Sequence, residues 1–568
     1  MKKWFATSLT MALSTSMVLT ACSTKPTVQP SSSANSTTPT ASTTPTASTT
    51  PTASTTPAKK GDISVSVYDR GNIPAAEGTL EDNRWTKFIN ENGPANVKYV
   101  PIPRNDAAQK FNVLFASGSA PDIINEFDPN ILNPLIDQKQ LMPLNDLIDK
   151  NSVEYKKVLQ DYPALKKVAT SPDGKMYKVG RVLESVPSYA VFVRADWLKK
   201  LNLDVPKTTE DLYKVAKAFA EQDPDGNGKK DTYGMALSFR SEFAIDMMFG
   251  NPVELYGLVN DQPSRAFENA KLATEFKKRL FDEGLIDKDF VNDKNGAKAK
   301  QDFLNGKMGI YPTFVGNWFE STVTDIQTLK KAVPEADVIP IALPKSPVGE
   351  FIPDVQSPVQ MTTAINAKTK DPVAAIKYID FINRVSTGTS LLFGLEGTHY
   401  KKDVNGCPQN IDPNKTKAEV SWAGDYAHFY SRLLLGKCAF LQNQFNPEIP
   451  EQKSGLDMFK KAESLYLDST KKYRFVTLQE LIPSFPKDLQ PSFNTVKKQI
   501  TDTWLKAVIS GDKYSADQAY KDVQTAWDKA GGKQMDDFII EWYKTSKDNS
   551  FMMKDLWETV AKQAQMKK

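Results

Sequence analysis

Apolar and polar positions along the first third of the chain switch between a period of two and a helical period. Residues 63–67, Ile-Ser-Val-Ser-Val, alternate as a half-buried strand does; an amphipathic helix covers 85–90, and Val97-Lys98-Tyr99-Val100-Pro101-Ile102 is a second strand. A helix over 106–116 follows, and a Ser117-Gly118-Ser119 turn leads through Asp122-Ile123-Ile124 into a third strand. Strand and helix alternate, which predicts parallel α/β layers with sites at the C-terminal ends of strands. Asp173-Gly174-Lys175-Met176-Tyr177 turns into another strand, and an apolar strand at 189–193 opens the segment that organises the rest, 194–234. Asp196-Trp197-Leu198 begins a short helix there, with Trp197 expected to pack. Thr208 and Asp211 then stand at the spacing of a capping box. Leu212, Val215, Ala216, Phe219 and Ala220 fall on one face of the helix that follows. Amphipathic helices recur near the end, at 502–509, 517–529 and 535–544.

The capped helix runs into Asp223-Pro224-Asp225-Gly226-Asn227-Gly228-Lys229-Lys230-Asp231. Asp223, Asp225, Asn227 and Asp231 occupy positions 1, 3, 5 and 9 of an EF-hand-type loop, the Lys229 carbonyl takes position 7, and Gly228 sits at the sharp turn. Hard oxygens in that order suit Ca2+. Gly234 stands where a bidentate Glu is expected, so water or another group must complete the shell. The same residue types also make ordinary turns. In either case the loop is expected to fasten structure and to do no catalysis.

The ends of the chain add a location. Residues 1–21 have a basic start (Lys2, Lys3) and a short apolar run, as a signal peptide does. Leu19-Thr20-Ala21-Cys22 resembles the lipobox of bacterial lipoproteins, and by that resemblance Cys22 carries a lipid that anchors the protein at the extracellular face of the cell membrane. Residues 22–60 are rich in Ser, Thr and Pro, with Pro-Thr-Ala-Ser-Thr-Thr repeats that can bury nothing, so a disordered linker is expected. As a coil it reaches about 35 Å. The remaining chain, 61–568, is expected to be globular: the full sequence is 40% hydrophobic and 25% charged, and its small formal charge of +4 argues against nucleic acid as partner. Cys407 and Cys438 are an even pair in an exported protein and can form a disulfide, which spacing does not decide. His399 and His428 are too few and too isolated for zinc. No Gly-x-Ser-x-Gly elbow, phosphate loop or Cys/His couple is present.

Several motifs then point one way when taken in order: Asp122-Ile123-Ile124 after its Gly-Ser turn, the Asp173-Gly174-Lys175-x-Tyr177 turn, and Arg194-x-Asp196-Trp197-Leu198 with Pro206-Lys207-Thr208 and the Asp-rich loop. Phe303-Leu304-Asn305-Gly306-Lys307-Met308-Gly309-Ile310 with Gly316-Asn317-Trp318, the run 394–400, and Trp504 to Gly511 with Trp542-Tyr543 continue the pattern. The chain resembles the large solute-binding lipoproteins of bacterial ABC importers, in particular those serving oligosaccharides such as aldouronates and alginate fragments. The resemblance implies a two-lobed type II periplasmic-binding-protein fold of α/β class, with interleaved lobes and a helical C-terminal region. Lobe 1 would hold about 61–185 and 350–430, and lobe 2 about 186–349 and 431–568. It implies a monomer that captures an oligosaccharide, neutral or uronate-containing, by hinge closure and delivers it to permease subunits.

Sugar sites set aromatic rings against C–H faces and polar groups against hydroxyls. Trp318, Tyr400, Trp422, Trp85 and Tyr189 are the candidate rings, and Arg104 or Arg240 the candidate partner of a carboxylate. A lipid-anchored glycoside hydrolase or lyase, or a sensor-coupled sugar-binding subunit, would share the signal, linker and aromatics. Hydrolysis needs two carboxylates facing across a cleft, and no segment singles out such a pair, so no enzyme activity is expected.

Overall fold

Two sheets carry the fold, in a computed structural model that describes residues 59–171, 173–252, 256–259, 262–316, 319–478 and 481–567. The strands in chain order are β1 (Gly61–Asp69), β2 (Ala95–Pro103), β3 (Ile123–Asn125), β4 (Lys178–Val182), β5 (Tyr189–Arg194), β6 (Tyr233–Met235), β7 (Gly257–Val259), β8 (Gln262–Ser264), β9 (Met308–Phe314), β10 (Val338–Ile341), β11 (Val359–Ile365), β12 (Tyr400–Lys402) and β13 (Pro408–Asn410). Strands β7 and β8 pair with each other, as do β12 and β13.

The first sheet has the order β2-β1-β3-β11-β4. Strands β1 and β2 run parallel from Gly61 opposite Ala95 to Asp69 opposite Pro103, and β3 is parallel to β1. Asp122 ties the turn before β3 to β1 by accepting from the Ser64 amide (2.8 Å) and hydroxyl (2.7 Å). The expected parallel layer therefore forms, but the sheet as a whole is mixed. Strand β11 is antiparallel to β3 and to β4. The reason is connectivity: β11 starts beside the end of β4, Val359 opposite Val182, because the chain returns from the second sheet at the edge where it left.

The second sheet, β10-β5-β9-β6, is also mixed, with β5 antiparallel to both neighbours and β6 parallel to β9. Strand β5 is buried along its whole length, which is why its sequence is an unbroken apolar run up to Arg194. Arg194 is buried by two partners, a two-pronged ion pair with Asp196 (2.8 and 2.6 Å) and the Trp197 ring 4.4 Å below its guanidinium. Trp197 in turn meets the Phe219 ring edge-on at 5.3 Å. The helix Thr209–Glu221 starts at the expected capping box, with the Thr208 hydroxyl accepting from the Asp211 amide (3.1 Å) and the Asp211 carboxylate from the Thr208 amide (3.0 Å). Such a cap contributes about 1 kcal/mol.

Residues 183–188 and 354–358 connect the sheets as two antiparallel strips. They are joined by hydrogen bonds from the Leu183, Ser188 and Gln356 amides to the carbonyls of Pro358 (2.9 Å), Asp354 (2.6 Å) and Val186 (2.8 Å). Further along, Leu433 and Phe440 pack in the core of the first sheet while Leu441 and Phe445 pack in that of the second, so the chain passes between cores again there. The helices Gln490–Ile509, Ala516–Lys529 and Gly532–Ser546 share a separate core around Phe493, Trp504, Trp527 and Ile539, and the first two lie on the helix Phe267–Asp282. The last helix, Met553–Met566, returns to the first core through Leu556. Cys407 and Cys438 form a disulfide, with Cα atoms 5.2 Å apart, that ties the loop after β12 to the turn Arg432–Ala439.

Candidate functional site

A cavity of about 800 Å³ opens where the connecting strips leave the two sheets. Each sheet supplies part of its wall. From the first come Arg70, just past β1, Arg181 and Leu183 at the end of β4, and Gln360 on β11. From the second come Tyr189 at the start of β5 and Phe314 at the end of β9, directly opposite each other in the antiparallel pair, with Arg240 and Phe243 from the short helical segment beside them. The strip residues Asp354 to Ser357 line the middle, and Trp422, Asp425, His428, Arg432 and Tyr473-Arg474-Phe475 close it.

The rings and charges form interlocking pairs. Tyr189 and Phe314 meet edge-on at 5.5 Å, and the Arg240 guanidinium lies 4.9 Å over the Phe314 ring. Phe127 packs 4.2 Å from His428 and under Arg181 at 5.2 Å. Both carboxylates of the cavity are held by arginine forks. Asp425 accepts two bonds from Arg70 (2.6 and 3.0 Å), and Asp354 two from Arg474 (2.8 and 2.6 Å). Burial works against the Asp425 charge, but His428, its Nδ1 3.9 Å away, and the Arg70 fork outweigh it and hold the carboxyl below its usual range. Burial pushes the His428 imidazole down to about 4 against the pull of Asp425, with Arg181 and Arg70 adding to the push, so the ring is neutral at pH 7. Burial, then Asp354, raises the Tyr189 hydroxyl to about 12. Arg181 donates to the Gln360 side-chain oxygen (3.1 and 3.0 Å) and to the His428 carbonyl (2.9 Å). Among the described residues Arg181, Arg240 and Arg432 have no carboxylate partner.

Of the candidate sugar-facing residues, the structure brings Trp422 and Tyr189, with Arg240, to this cavity. Trp422 is fixed by its indole N–H donating to the Ala418 carbonyl (2.9 Å). Trp318 lies outside the described residues, as does Cys22. Trp85 is placed elsewhere: it is 2% exposed in the core under the first sheet, and its indole N–H is used by the Glu419 carbonyl (2.7 Å). Tyr400 is buried on β12 against Phe393, away from the cavity, because the β12–β13 hairpin folds its ring inward. Arg104 also stays outside the lining, its guanidinium stacked 4.7 Å over Tyr68. Arg181, Arg432, Gln360 and the Tyr473-Arg474-Phe475 triplet were not singled out by pattern. Only the triplet, an arginine between two rings, carried a visible signal.

The loop after the helix Thr209–Glu221 takes the tight turn its sequence implies, with Asp223, Gly226 and Gly228 all at positive φ. Asp223 accepts from the Asn227 (3.1 Å) and Gly228 (3.0 Å) amides. The Asn227 side-chain amide donates to both Asp225 (2.8 Å) and Asp231 (3.0 Å), and its oxygen accepts from the Lys229 amide (2.7 Å). A polarised N–H2 group thus lies between two carboxylates, where a cation would be favoured. Burial, then the neighbouring Asp223 and Asp231, raises the Asp225 carboxyl above its usual range, a like-charge crowding that a cation relieves. In this arrangement no three acidic, His or Cys groups among the described residues gather closely enough to hold an ion.

Comparison with known proteins places this geometry. Residues 78–384 match the family model of the bacterial extracellular solute-binding protein. Lipoprotein LipO of Bacillus subtilis is 33% identical over 237 residues, covering 38% of this chain and 43% of that protein. The fructooligosaccharide ABC transporter substrate-binding protein FusA of Streptococcus pneumoniae is 34% identical over 244 residues, covering 39% and 44%. These two alignments thus span less than half of each relative. The polygalacturonan/rhamnogalacturonan-binding protein YtcQ of Bacillus subtilis is 26% identical over 465 residues, covering 78% of this chain and 85% of the relative. Among solved structures, an HMO binding, ABC-transporter associated solute-binding protein from Bifidobacterium longum infantis has the same fold at a TM-score of 0.66, with 20% identity over 85% of this chain and 98% of that one. With more than half of its length matched to the family model, the chain belongs to the bacterial extracellular solute-binding protein family.

Proposed function

We propose that this protein is the substrate-binding component of an ABC importer and captures an oligosaccharide in the cavity between its two sheets. The observation that carries the reading is that one cavity takes rings, arginines and amide groups from both sheets and from the strips that join them. A ligand touching both walls favours the closed arrangement over the open one, and the two strips are the segments able to bend. The lobe division expected above, about 61–185 with 350–430 and 186–349 with 431–568, then needs a correction: Leu433, Phe440 and, through Leu556, the last helix pack with the first sheet, because the chain crosses to the second core only at Leu441 and returns at its end. Sugar binding fits the lining, since Tyr189, Phe314 and Trp422 offer ring faces and edges while Gln360 and the arginines offer directional donors and acceptors.

The same geometry disfavours the hydrolase alternative. The two carboxylates of the cavity, Asp354 and Asp425, are each clamped by an arginine fork and held as acceptors, a poor state for a general acid. Two finer points belong to the same reading. Ca2+ would be held by the side chains of Asp223, Asp225, Asn227 and Asp231 with the Lys229 carbonyl, once the Asn227 amide turned its oxygen inward, and would supply only cross-linking charge. Cys22 carries the lipid that keeps the binding domain at the extracellular face of the membrane, beside the permease. Tryptophan fluorescence and calorimetry with a panel of neutral and acidic plant, algal and bacterial oligosaccharides test the proposal. A saturable response to at least one class, with no release of reducing ends, is expected; silence across the panel, or turnover, overturns it.

A further inference from the structure

A second cavity, of about 270 Å³, lies behind the first and shares two wall residues with it, Phe127 and Gln360. Its floor is β4 and β11, through Lys178 and Met361, and its outer wall is formed by Leu481-Ile482-Pro483 and by Phe551. The cation at its floor is unusual. Lys178 is half-buried, and its ammonium donates to the Asn133 side-chain oxygen at 3.1 Å, with no carboxylate partner among the described residues. The other lysine of this cavity, Lys167, is by contrast paired with Asp555 at 3.0 Å. A half-buried ammonium without a counter-charge is costly to hold, and desolvation alone brings its pKa down to about 8. An anion arriving in the cavity removes that cost. The front cavity has the same excess: Arg181, Arg240 and Arg432 line it without carboxylate partners.

We propose that the ligand groove continues past Phe127 and Gln360 into this rear cavity, where Lys178 receives an anionic group, a carboxylate or a sulfate, of an extended acidic oligosaccharide whose other units occupy the front cavity. The inference rests on the reading of the front cavity as a sugar site and adds the charge and minimum extent of the ligand. A neutral sugar, or a disaccharide that fills only the front cavity, gains nothing from Lys178.

The test uses the soluble mature protein, wild type and Lys178→Met, titrated calorimetrically with di- to hexasaccharides from pectin, alginate, glucuronoxylan and sulfated galactans, each uronate series also as its neutral methyl ester. Wild type is expected to bind an acidic series more tightly as the chain lengthens and to prefer it to the ester. Lys178→Met is expected to lose about tenfold or more in affinity for the longer acidic members, as befits one charge-assisted hydrogen bond, and to leave the disaccharide unchanged. Lys178→Arg, which keeps the charge, is expected to restore most of the loss, and matching melting curves separate this from misfolding. Equal binding of acid and ester, or a Lys178→Met loss that is the same for every length, overturns the rear subsite while leaving the sugar reading standing. Binding of no oligosaccharide, acidic or neutral, overturns both.

Discussion

His428 illustrates how one side chain ties the cavity to stability. Its ring is 2% exposed, lies between Phe127 and the Arg70–Asp425 pair, and leaves its Nε2 without a hydrogen-bond partner. Above pH 6.5 the ring is neutral in both the folded and unfolded chain and costs nothing. As the pH falls from 6.5 towards about 4, the unfolded chain takes up a proton that the folded one refuses, so stability declines through that window by about 3 kcal/mol at most. Urea unfolding across that range should show this decline, and His428→Gln should flatten it; an unchanged slope in the variant would place the acid sensitivity elsewhere. The arginine forks make the cavity wall rigid in the same way. Arg474 joins its own segment, before the C-terminal helices, to the 354–358 strip through Asp354 and to the turn after the helix Phe243–Met248 through the Asn251 carbonyl at 2.9 Å, so it braces one of the two strips on which any hinge motion depends.

Local signals were legible where an element is closed by its own neighbours. The Thr208–Asp211 box, the helical stripe from Leu212 to Ala220 and the turn at 223–231 all formed as their spacing implies, because each is completed within a few residues. The Asp-rich loop at 223–231 is the element most open to experiment. If Ca2+ binds the folded loop, chelation with EGTA should lower the melting temperature, by an amount equivalent to about 2–3 kcal/mol when the ion is present at a hundred times its dissociation constant. A melting curve that ignores EGTA would leave the loop as an Asn227-bridged turn. At the connecting strip 183–188, the last helix finishes backbone hydrogen bonds: the Gln563 side chain donates to the Leu183 carbonyl (2.9 Å) and accepts from the Ser185 amide (2.8 Å). Lys567 adds an ion pair to Glu184 at 2.8 Å and another to Glu463. Nothing local in 553–567 announces that role.

For the whole molecule, the position in the cell proposed from the lipobox-like Cys22 is the easiest property to test. Cys22→Ala should shift the protein from the membrane fraction to the soluble fraction without changing sugar affinity; retention at the membrane would point to another anchor. The hydrophobic pattern was enough to establish the α/β class, the order of strands β1 to β3, the buried strand β5 and the amphipathic C-terminal helices, since burial of one face is written in the spacing of apolar residues. It was not enough for strand direction. The antiparallel entry of β11 follows from where the chain crosses back beside Val182, a long-range connection with no local signature. The cavity was half legible. Trp422 and Tyr189 stand out as aromatic residues near polar loops or at a strand end, but so do Tyr400 and Trp85, and the pattern cannot tell a ring that faces a cleft from one that packs inward. Arg181 and Arg432 become a site only when β4 and the turn after His428 are brought together, because charge that is unremarkable on a surface acquires meaning when folding gathers it without counter-charge around one space.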